Sequence, residues 1–543
     1  MEKVWLKSYP QGVDAEIGKI ADDTIVKIFE TSFEKFTDRP AFECLGRSMT
    51  FGELNEKSKD FAAYLQNKAG MKKGDRIALM SPNLLPNPVA SIGALRAGLT
   101  VVNVNPLYTP RELEHQLNDA GAEALIIFAG VLPTFTEIAA NTPVKSVLVI
   151  GPQDLMIDDA AKPELPDGMG WFHGAVAEGA NATFSPVTVE PSDIAFLQYT
   201  GGTTGLSKGA TLSHYNVAVN VAQTRQWLSP KLEEGNELII TALPLYHIFA
   251  LTVNMMIYGS LGGCNLLIPN PRDMDGFIGT LKGRKFTAFT AVNTLFNGMM
   301  LHPEFGDLDF SGLRVCVGGG TKVQEVVAHK WLEKTGNLIL EGYGLSETAP
   351  VLTVNPVDVS EFKNSIGLPL PSTEIKLLDD DDKEPALGES GELCARGPQV
   401  MQGYWNKPEE TAEVMTSDGF FRTGDVAIMT EDGYFKIVDR KKDMILVSGF
   451  NVYPNEIEGI LAAHSAVLEC ACIGVPDDTT GEAVKVFAVA KEGSGLTEDA
   501  VRDFCRENLT AYKVPKHVAF IDEVPKSAVG KILRRELRDL ETS

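Results

Sequence analysis

Apolar and polar positions along this chain follow two patterns that take turns in a regular order. Short runs such as Arg76–Met80 and Ala124–Phe128 are almost entirely apolar, which is typical of strands buried on both faces. Residues 86–97 and 111–120, which lie between such runs, have the apolar spacing of helices. This order predicts βαβ units around a mostly parallel sheet.

The same order restarts at Asp193 and predicts a second, related βαβ subdomain. Strands are predicted at residues 237–241 and 264–268, with an apolar helix at 249–259 between them. From about residue 364 the pattern changes to short strands separated by turns. That change predicts a small, antiparallel, barrel-like lobe.

A charged run at residues 439–443 interrupts the pattern, and roughly a hundred residues of mixed helix and strand character follow it. We therefore predict an α/β protein of two domains. Residues 1–438 form a large N-terminal domain of two βαβ subdomains and the barrel-like lobe. Residues 439–543 form a small α+β C-terminal domain.

Composition narrows the classes of protein that fit. The 543 residues carry a net charge of −24, which argues against nonspecific binding to nucleic acid or anionic lipid. The seven cysteines lack paired CxxC spacing, so neither a zinc ribbon nor a disulfide framework is expected. No signal-peptide pattern and no 18-residue apolar run is found, which predicts a cytoplasmic protein.

Residues 199–209, Tyr-Thr-Gly-Gly-Thr-Thr-Gly-Leu-Ser-Lys-Gly, form a glycine-rich segment directly after an apolar strand. Glycines allow a close backbone approach, and N–H groups, hydroxyls and a lysine are the donors that phosphates require. The segment is not a Walker A sequence, because Lys208–Ser213 resembles a returning strand rather than a helix. A plain surface hairpin is the alternative. The predicted phosphate contacts are Thr200, Gly201, Gly202, Thr203, Thr204, Gly205 and Lys208.

Five segments occur in an order that resembles the adenylate-forming superfamily, which includes acyl-CoA synthetases and luciferases. They are the glycine-rich segment, residues 341–348, Arg422-Thr423-Gly424-Asp425, Asp439-Arg440 and residues 525–531. The resemblance covers nearly the whole chain. Residues 418–442 resemble the fatty acyl-CoA synthetase signature, and residues 103–108 are similar to the bacterial long-chain branch. Gly202 departs from the pattern, because many relatives have serine there.

This resemblance implies an acid–thiol ligase that forms AMP. ATP would activate a long-chain fatty acid to acyl-AMP with release of pyrophosphate, and coenzyme A would then accept the acyl group, with Mg²⁺ as cofactor. An aryl- or medium-chain acyl-CoA ligase, an adenylating enzyme that loads a carrier protein, and a non-catalytic sensor remain alternatives. Small-molecule partners and no nucleic acid are expected. Transient contact with the inner membrane surface and a homodimer are left open.

The resemblance also implies roles for single residues. Lys531 would bridge the substrate carboxylate and the α-phosphate, and Asp425 would bind the ribose. Without the resemblance, Lys531 would be interpreted as a surface lysine and Asp425 as a turn residue. Further nucleotide contacts are expected from Arg440, from Tyr343 stacked on adenine, and from Gly319, Gly320, Glu341, Gly342, Gly344 and Ser346.

Three further groups complete the implied site. Glu347 is the expected Mg²⁺ ligand, with Thr203 beside it. Tyr246, His247 and Gly318 are expected to line the acyl pocket, although a lone histidine in an apolar stretch is more often a core residue. The C-terminal domain would turn about Asp439 for the second step. It would then present Lys442, Ser448, Gly449 and Phe450 to coenzyme A.

Overall fold

The computed structural model describes residues 3–151, 154, 164–200, 207–527 and 530–542. The predicted phosphate contacts Gly201, Gly202, Thr203, Thr204 and Gly205 lie outside the described residues.

The first subdomain is built on a seven-stranded sheet, which also contains the two strands after Asp193 that were predicted to begin the second subdomain. All neighbouring strands are parallel except the last pair, Ile194–Thr200 and Lys208–Ser213, which is the antiparallel hairpin that flanks the glycine-rich segment. The strand order is Met169–Trp171, Ser146–Ile150, Ala124–Phe128, Arg76–Met80, Thr100–Asn103, Ile194–Thr200 and Lys208–Ser213.

The second subdomain is a nine-stranded sheet whose central strands are parallel. Its order is Leu368–Pro369, Val351–Val354, Leu340–Gly344, Val315–Gly318, Ala288–Ala291, Leu238–Thr241, Cys264–Leu267, Pro40–Cys44 and Arg47–Thr50. One continuous core contains side chains from both large sheets, such as Leu79 and Val317. The two βαβ subdomains therefore share their apolar interior and form one domain body.

The predicted barrel-like lobe is an open sheet. Its four antiparallel strands are Glu374–Leu378, Ser390–Arg396, Phe421–Met429 and Phe435–Arg440, in that order. Within the described part of the chain the two outer strands do not pair with each other. The N-terminal segment lies against this lobe instead: Ser372 N–H donates to the Ala15 carbonyl at 2.8 Å, and Lys3 pairs with Glu374 at 2.8 Å.

The C-terminal region has its own five-stranded sheet and core. Phe450–Val452, Ile445–Val447, Gly481–Ala490 and Val467–Asp477 are consecutive neighbours, and His517–Phe520 pairs in parallel with Gly481–Ala490. Asp439 is fully buried and accepts hydrogen bonds from the N–H groups of Arg440 at 2.7 Å and Asn455 at 2.8 Å. It thus caps the helix Pro454–Leu461.

The chain's last helix was not predicted and is tied to this C-terminal core. Arg534, at its first position, donates Nη2 to both oxygens of Glu458 at 2.8 and 2.9 Å. Its Nε donates to the Cys472 carbonyl at 3.1 Å. Arg538, one turn later, pairs with Asp443 at 2.9 Å. The helix also buries Leu537 completely in a small apolar cluster of the C-terminal region, so ion pairs and apolar packing fix it together.

Helices cover the sheets. The α-helices are Ile25–Lys35, Phe51–Asn67, Pro86–Arg96, Pro110–Ala120, Leu132–Thr136, Phe172–Ala180, His214–Leu228, Tyr258–Ser260, Met274–Leu281, Asn293–Leu301, Glu325–Thr335, Pro408–Glu413, Pro454–Leu461, Glu498–Asn508 and Arg534–Thr542. Short 3₁₀ turns occur at Val4–Ser8, Ala129–Val131, Ala139–Asn141, Ser229–Lys231, Pro303–Asp307, Ser346–Thr348 and Ala511–Lys513.

The apolar helix expected at 249–259 differs in type. Ala250–Ile257 is a π-helix, all eight of its residues are buried, and one α-helical turn follows it. Because the whole segment is buried, no exposed polar face marks its helical period in the sequence. Long π-helices are rare and often occur at functional sites. None of the helices in the described ranges is long and apolar enough to span a membrane.

The close packing of two helices gives a stability prediction. A Cβ on Gly179 would stand 1.9 Å from the Asp60 carbonyl oxygen, whereas a Cβ on Gly174 of the same helix would meet nothing within 4 Å. We expect Gly179→Ala to lower the free energy of unfolding by about 1–3 kcal/mol or more, because the helices must separate. Gly174→Ala should be neutral or stabilising by up to about 1 kcal/mol.

The melting temperatures of both variants, measured by scanning calorimetry, check this prediction. Equal melting temperatures for the two alanine variants would contradict it.

Candidate active site

A cleft of about 1920 Å³ lies where the N-terminal domain body, the four-stranded lobe and the C-terminal region meet. Most of the predicted site residues line it. They are Thr200, Lys208, Tyr246, His247, Gly319, Gly320, Glu341, Gly342, Tyr343, Gly344, Ser346, Glu347, Asp425, Arg440, Lys442 and Lys531. Gly318, Ser448, Gly449 and Phe450 are not among the residues of its wall.

Asp425 and Arg440 meet because strand register makes them direct cross-strand partners. Asp425 Oδ1 lies 3.3 Å from Arg440 Nε, and Oδ2 accepts a hydrogen bond of 2.6 Å from the Tyr343 hydroxyl. The aspartate is only 5% exposed. An ionised carboxylate has about four acceptor positions, so these contacts leave capacity for another donor such as a sugar hydroxyl.

Glu347 lies in the short 3₁₀ turn Ser346–Thr348 and is 7% exposed. The Tyr404 hydroxyl donates to its Oε1 at 2.8 Å. Burial raises the pKa of Glu347, while the Tyr404 hydrogen bond and the positive charges of Arg440 and Lys531 oppose that rise. The result is a desolvated carboxylate that its neighbours partly keep in the charged form.

Lys531 reaches the cleft from a hairpin just before the last helix. Ser527 N–H donates to the Lys531 carbonyl at 2.8 Å, and Lys531 N–H donates to Ser527 Oγ at 3.1 Å. Lys531 is half-buried and lines the wall of the cleft. Desolvation, followed by repulsion from Arg440, lowers the pKa of Lys531 to about 7, while Asp425 and Glu347 oppose the shift.

His247 stands at the entrance to the π-helix. Its Nδ1 accepts a hydrogen bond of 3.2 Å from the Phe249 N–H. Burial, together with the charge of Lys531, lowers the pKa of His247 to about 4, so the ring is neutral near pH 7. The preceding Tyr246 is held by its carbonyl, which accepts from Gln198 Nε2 at 2.8 Å.

Two glycines next to this histidine have different neighbours. A Cβ on Gly319 would lie 2.9 Å from the Phe249 ring, so the missing side chain makes room for that ring at the cleft wall. A Cβ on Gly318 would meet Val323 at 2.4 Å and Ile339 at 2.9 Å. Gly318 therefore packs against the interior of the domain, and the wall of the cleft starts at Gly319.

The ends of the glycine-rich segment are firmly attached. Thr200 and Lys208 are opposite each other in the strand register, and the Lys208 ammonium lies 5.0 Å from the centre of the Tyr404 ring. The Ser207 carbonyl is 3.0 Å from His115 Nε2. These contacts hold the segment's two ends at the rim of the cleft.

Glu341 has a structural contact. Its Oε1 accepts from the Val323 N–H at 3.0 Å, and burial raises the pKa of Glu341 to about 7. The carboxyl group thus supports the turn after Val315–Gly318, beside the cleft's glycine wall.

The segment proposed for coenzyme A lies at a hairpin tip. Ser448 and Gly449, with φ of 52° and 83°, form the turn between Ile445–Val447 and Phe450–Val452. The Phe450 side chain is 56% exposed and stacks on Tyr512 with ring centres 4.8 Å apart. Lys442 is the member of the predicted group that lines the cleft.

Tyr404 and Phe249 are cleft residues that sequence reasoning did not single out. Tyr404 contacts two predicted site residues, Glu347 and Lys208. A Gly-Tyr-Trp stretch carries no chemical signal by itself. Tyr404 gains its neighbours through pairing with a strand about two hundred positions earlier in the chain.

Comparisons with known proteins agree with this geometry. Residues 29–405 match the family described as AMP-binding enzyme, and residues 456–531 match the family described as AMP-binding enzyme C-terminal domain. The chain belongs to the AMP-binding enzyme family.

Individual relatives cover the full length. The chain is 53% identical to the long-chain-fatty-acid–CoA ligase of Salmonella typhimurium, over 99% of this chain and 98% of that protein. It is 52% identical to the long-chain-fatty-acid–CoA ligase of Yersinia pestis, over 100% and 98%. An anthranilate CoA ligase in complex with anthranoyl-AMP matches with a TM-score of 0.87 at 26% identity, over 96% and 97%. The predicted superfamily and fold class are confirmed, while the boundary at 438/439 stays a prediction.

The environment of Lys531 gives a prediction that needs no substrate. Because its pKa is lowered to about 7, the neutral amine forms at a lower pH than on ordinary lysines. Competitive labelling with isotope-coded acetic anhydride across pH should show half-maximal reactivity of Lys531 near pH 7. Exposed lysines such as Lys383 serve as the internal reference.

The variant Asp425→Asn tests the cause of that titration. Asp425 raises the pKa of Lys531, so its neutralisation should move the labelling midpoint to lower pH. A Lys531 midpoint equal to that of the reference lysines would contradict the prediction.

Proposed function

We propose that this chain is an ATP-dependent long-chain fatty acid–CoA ligase that forms AMP. One observation carries the proposal: the ammonium of Lys531, which comes from the C-terminal region, shares a cleft with Glu347 of the N-terminal domain body and with Asp425 and Arg440 of the four-stranded lobe. The reaction would begin with attack of a fatty-acid carboxylate on the α-phosphate of ATP. Pyrophosphate would leave, and the acyl-AMP formed would then pass its acyl group to coenzyme A.

The first half-reaction brings two anions together, and Lys531 is the group that would reduce their repulsion. Its charge would lie between the carboxylate and the α-phosphate, where negative charge is concentrated. With a pKa of about 7 in the free protein, the amine is only partly protonated near neutral pH. Bound anions favour the charged form, so we expect substrate binding to restore the full cation.

Asp425, Arg440 and Tyr343 would hold the nucleoside part of ATP. The carboxylate of Asp425 retains acceptor capacity for the ribose hydroxyls, and the Arg440 guanidinium beside it would contact the phosphates. Tyr343 would present its ring to adenine while its hydroxyl stays on Asp425. Catalysis in this part of the site is positioning.

The leaving pyrophosphate would lie toward Lys208 and Glu347. Within the described residues no group of three or more His, Cys, Asp and Glu side chains could enclose a metal ion. A single buried carboxylate beside phosphates nevertheless fits Mg²⁺, which favours one or two carboxylates with phosphate oxygens and water. When bound at Glu347, Mg²⁺ would neutralise charge on the phosphates that leave.

The acyl chain would occupy the apolar side of the cleft near Tyr246, His247 and the π-helix. His247 is neutral and its Nδ1 already accepts a hydrogen bond, so it would position substrate and not transfer protons. The preference for long chains is supported by the relatives' names and by the buried apolar π-helix.

The second half-reaction would need Lys531 to leave and the Ser448–Gly449 turn to arrive. We propose rotation of residues 439–543 about Asp439, followed by contact of coenzyme A with Lys442, Gly449 and Phe450. The support is the family resemblance and the position of Asp439, which joins the lobe strand Phe435–Arg440 to the helix Pro454–Leu461. Membrane-surface contact and a homodimer stay predictions.

The proposal is tested by measuring pyrophosphate release with a panel of carboxylic acids, with and without coenzyme A. We expect the highest kcat/KM with long alkanoic acids and an acyl-CoA product. Preference for aromatic or medium-chain acids would assign one of the alternative ligases. Acid-dependent pyrophosphate release without a coenzyme A product would favour an enzyme that loads a carrier protein. No pyrophosphate release with any acid would refute the proposed adenylating activity.

Lys531→Ala separates the two half-reactions. We expect it to lower pyrophosphate release by about 10²–10³-fold, the usual effect of removing one group that stabilises developing charge. Formation of thioester from supplied acyl-AMP should remain. Lys513→Ala, which removes a C-terminal lysine paired with Glu456, is the control and should leave both steps intact. Equal loss of both steps in Lys531→Ala would contradict the assigned role.

A further inference from the structure

Residues 401–405, here called the bridging segment, connect two parts of the cleft that lie far apart in sequence. At one end, the Trp405 N–H donates to the Gly209 carbonyl at 2.8 Å, on the strand that follows the glycine-rich segment. At the other end, the Met401 N–H donates to the Glu347 carbonyl at 2.7 Å. The segment therefore fixes the backbone distance between the phosphate side and the carboxylate side of the site.

Tyr404, in the middle of the bridging segment, makes the same connection with its side chain. Its hydroxyl donates to Glu347 Oε1 at 2.8 Å, and the Lys208 ammonium lies over its ring at 5.0 Å from the centre. The phenol thus contacts one anionic group and one cationic group by two different interactions. Both are strengthened in a poorly solvated site.

We propose that Tyr404 is a positioning residue for pyrophosphate departure, which aims the Glu347 carboxylate and the Lys208 ammonium at the phosphates that leave. The inference rests on the proposed function of the cleft. Tyr404 touches no reacting atom in this scheme and acts through its two neighbours. The Glu347 carboxylate cannot rotate freely while one of its oxygens accepts the phenol hydrogen. Its remaining acceptor positions are open to a further ligand.

The two contacts can be separated by mutation. Tyr404→Phe removes the hydrogen bond to Glu347 and keeps a ring beneath Lys208. Tyr404→Leu removes both contacts. Tyr9→Phe is the matched control, because the Tyr9 hydroxyl donates to the Pro369 backbone carbonyl and lies outside the cleft wall.

Four measurements are made on each variant of the full chain. They are the melting temperature, the Kd for ATP with Mg²⁺ and for AMP by titration calorimetry, acid-dependent pyrophosphate release, and thioester formation from supplied acyl-AMP. AMP lacks the two phosphates that leave, so it reports on the nucleoside and α-phosphate contacts without those phosphates.

For Tyr404→Phe we expect the Kd for ATP with Mg²⁺ to rise about 10-fold, the lower end of the loss found when a partner that orients a metal-binding side chain is removed. Pyrophosphate release should fall, while AMP binding and the thioester step stay at the wild-type level. Tyr404→Leu should show the larger loss in ATP binding, because Lys208 also loses its support. Tyr9→Phe should match the wild type in nucleotide binding, pyrophosphate release and thioester formation, and only its melting temperature should change.

Two results would overturn the inference. If Tyr404→Phe binds ATP with Mg²⁺ like the wild type, its hydroxyl does not position Glu347 for the phosphates. If AMP binding and the thioester step fall together with ATP binding, the residue only maintains the fold. If the wild-type protein releases no pyrophosphate, the proposed function is refuted instead. The affinities for ATP and AMP would still test the role of Tyr404.

Discussion

The register of paired strands fixes the charged groups of the cleft, and the arrangement of the site depends on this constraint. Asp425 and Arg440 face each other because two strands pair there, with no flexible loop to order. Buried charges are costly unless they are paired and hydrogen-bonded. Backbone pairing thus lets the site hold opposite charges close together in a poorly solvated place.

Asp425 and Glu347, two of the buried carboxylates that line the cleft, each accept a hydrogen bond from a tyrosine. Tyr343 donates to Asp425 and Tyr404 donates to Glu347, at 2.6 and 2.8 Å. A phenol contributes a strong donor and no net charge, so it stabilises the carboxylate without cancelling its charge. Each carboxylate therefore retains acceptor positions for a ligand.

Much of the fold could be predicted from the sequence because its parallel strands are short, apolar and bounded by turns. Arg76–Met80 and Ala124–Phe128 occur as predicted. The helix at 250–257 was predicted, but its π type was not, because all eight of its residues are buried and no polar face shows the period. The last helix was not predicted; the ion pairs of Arg534 and the burial of Leu537 that hold it come together only in the fold. The lobe predicted as barrel-like is an open four-stranded sheet, and the N-terminal segment that contacts it is distant in sequence.

The residues of the candidate site could also be predicted only in part. Motif order pointed to Asp425, Arg440 and Lys531, and all three line one cleft. Tyr404 could not be found, because its neighbours come from long-range pairing and its own residue type is compatible with ordinary packing. The Gly318 side of the wall also needed coordinates, since only packing shows which of three consecutive glycines faces the interior.

The ion pairs that anchor Arg534 bear on the timescale on which Lys531 can move. Lys531 is followed after two residues by a helix that is ion-paired to Glu458 and Asp443, so its hairpin belongs to the C-terminal core. A free lysine can change rotamer in picoseconds to nanoseconds, whereas domains move in roughly microseconds to milliseconds. In the proposed rotation the Lys531 ammonium would leave the cleft together with the C-terminal core, so the loss of its charge from the cleft would follow the rate of domain motion and not that of side-chain rotation.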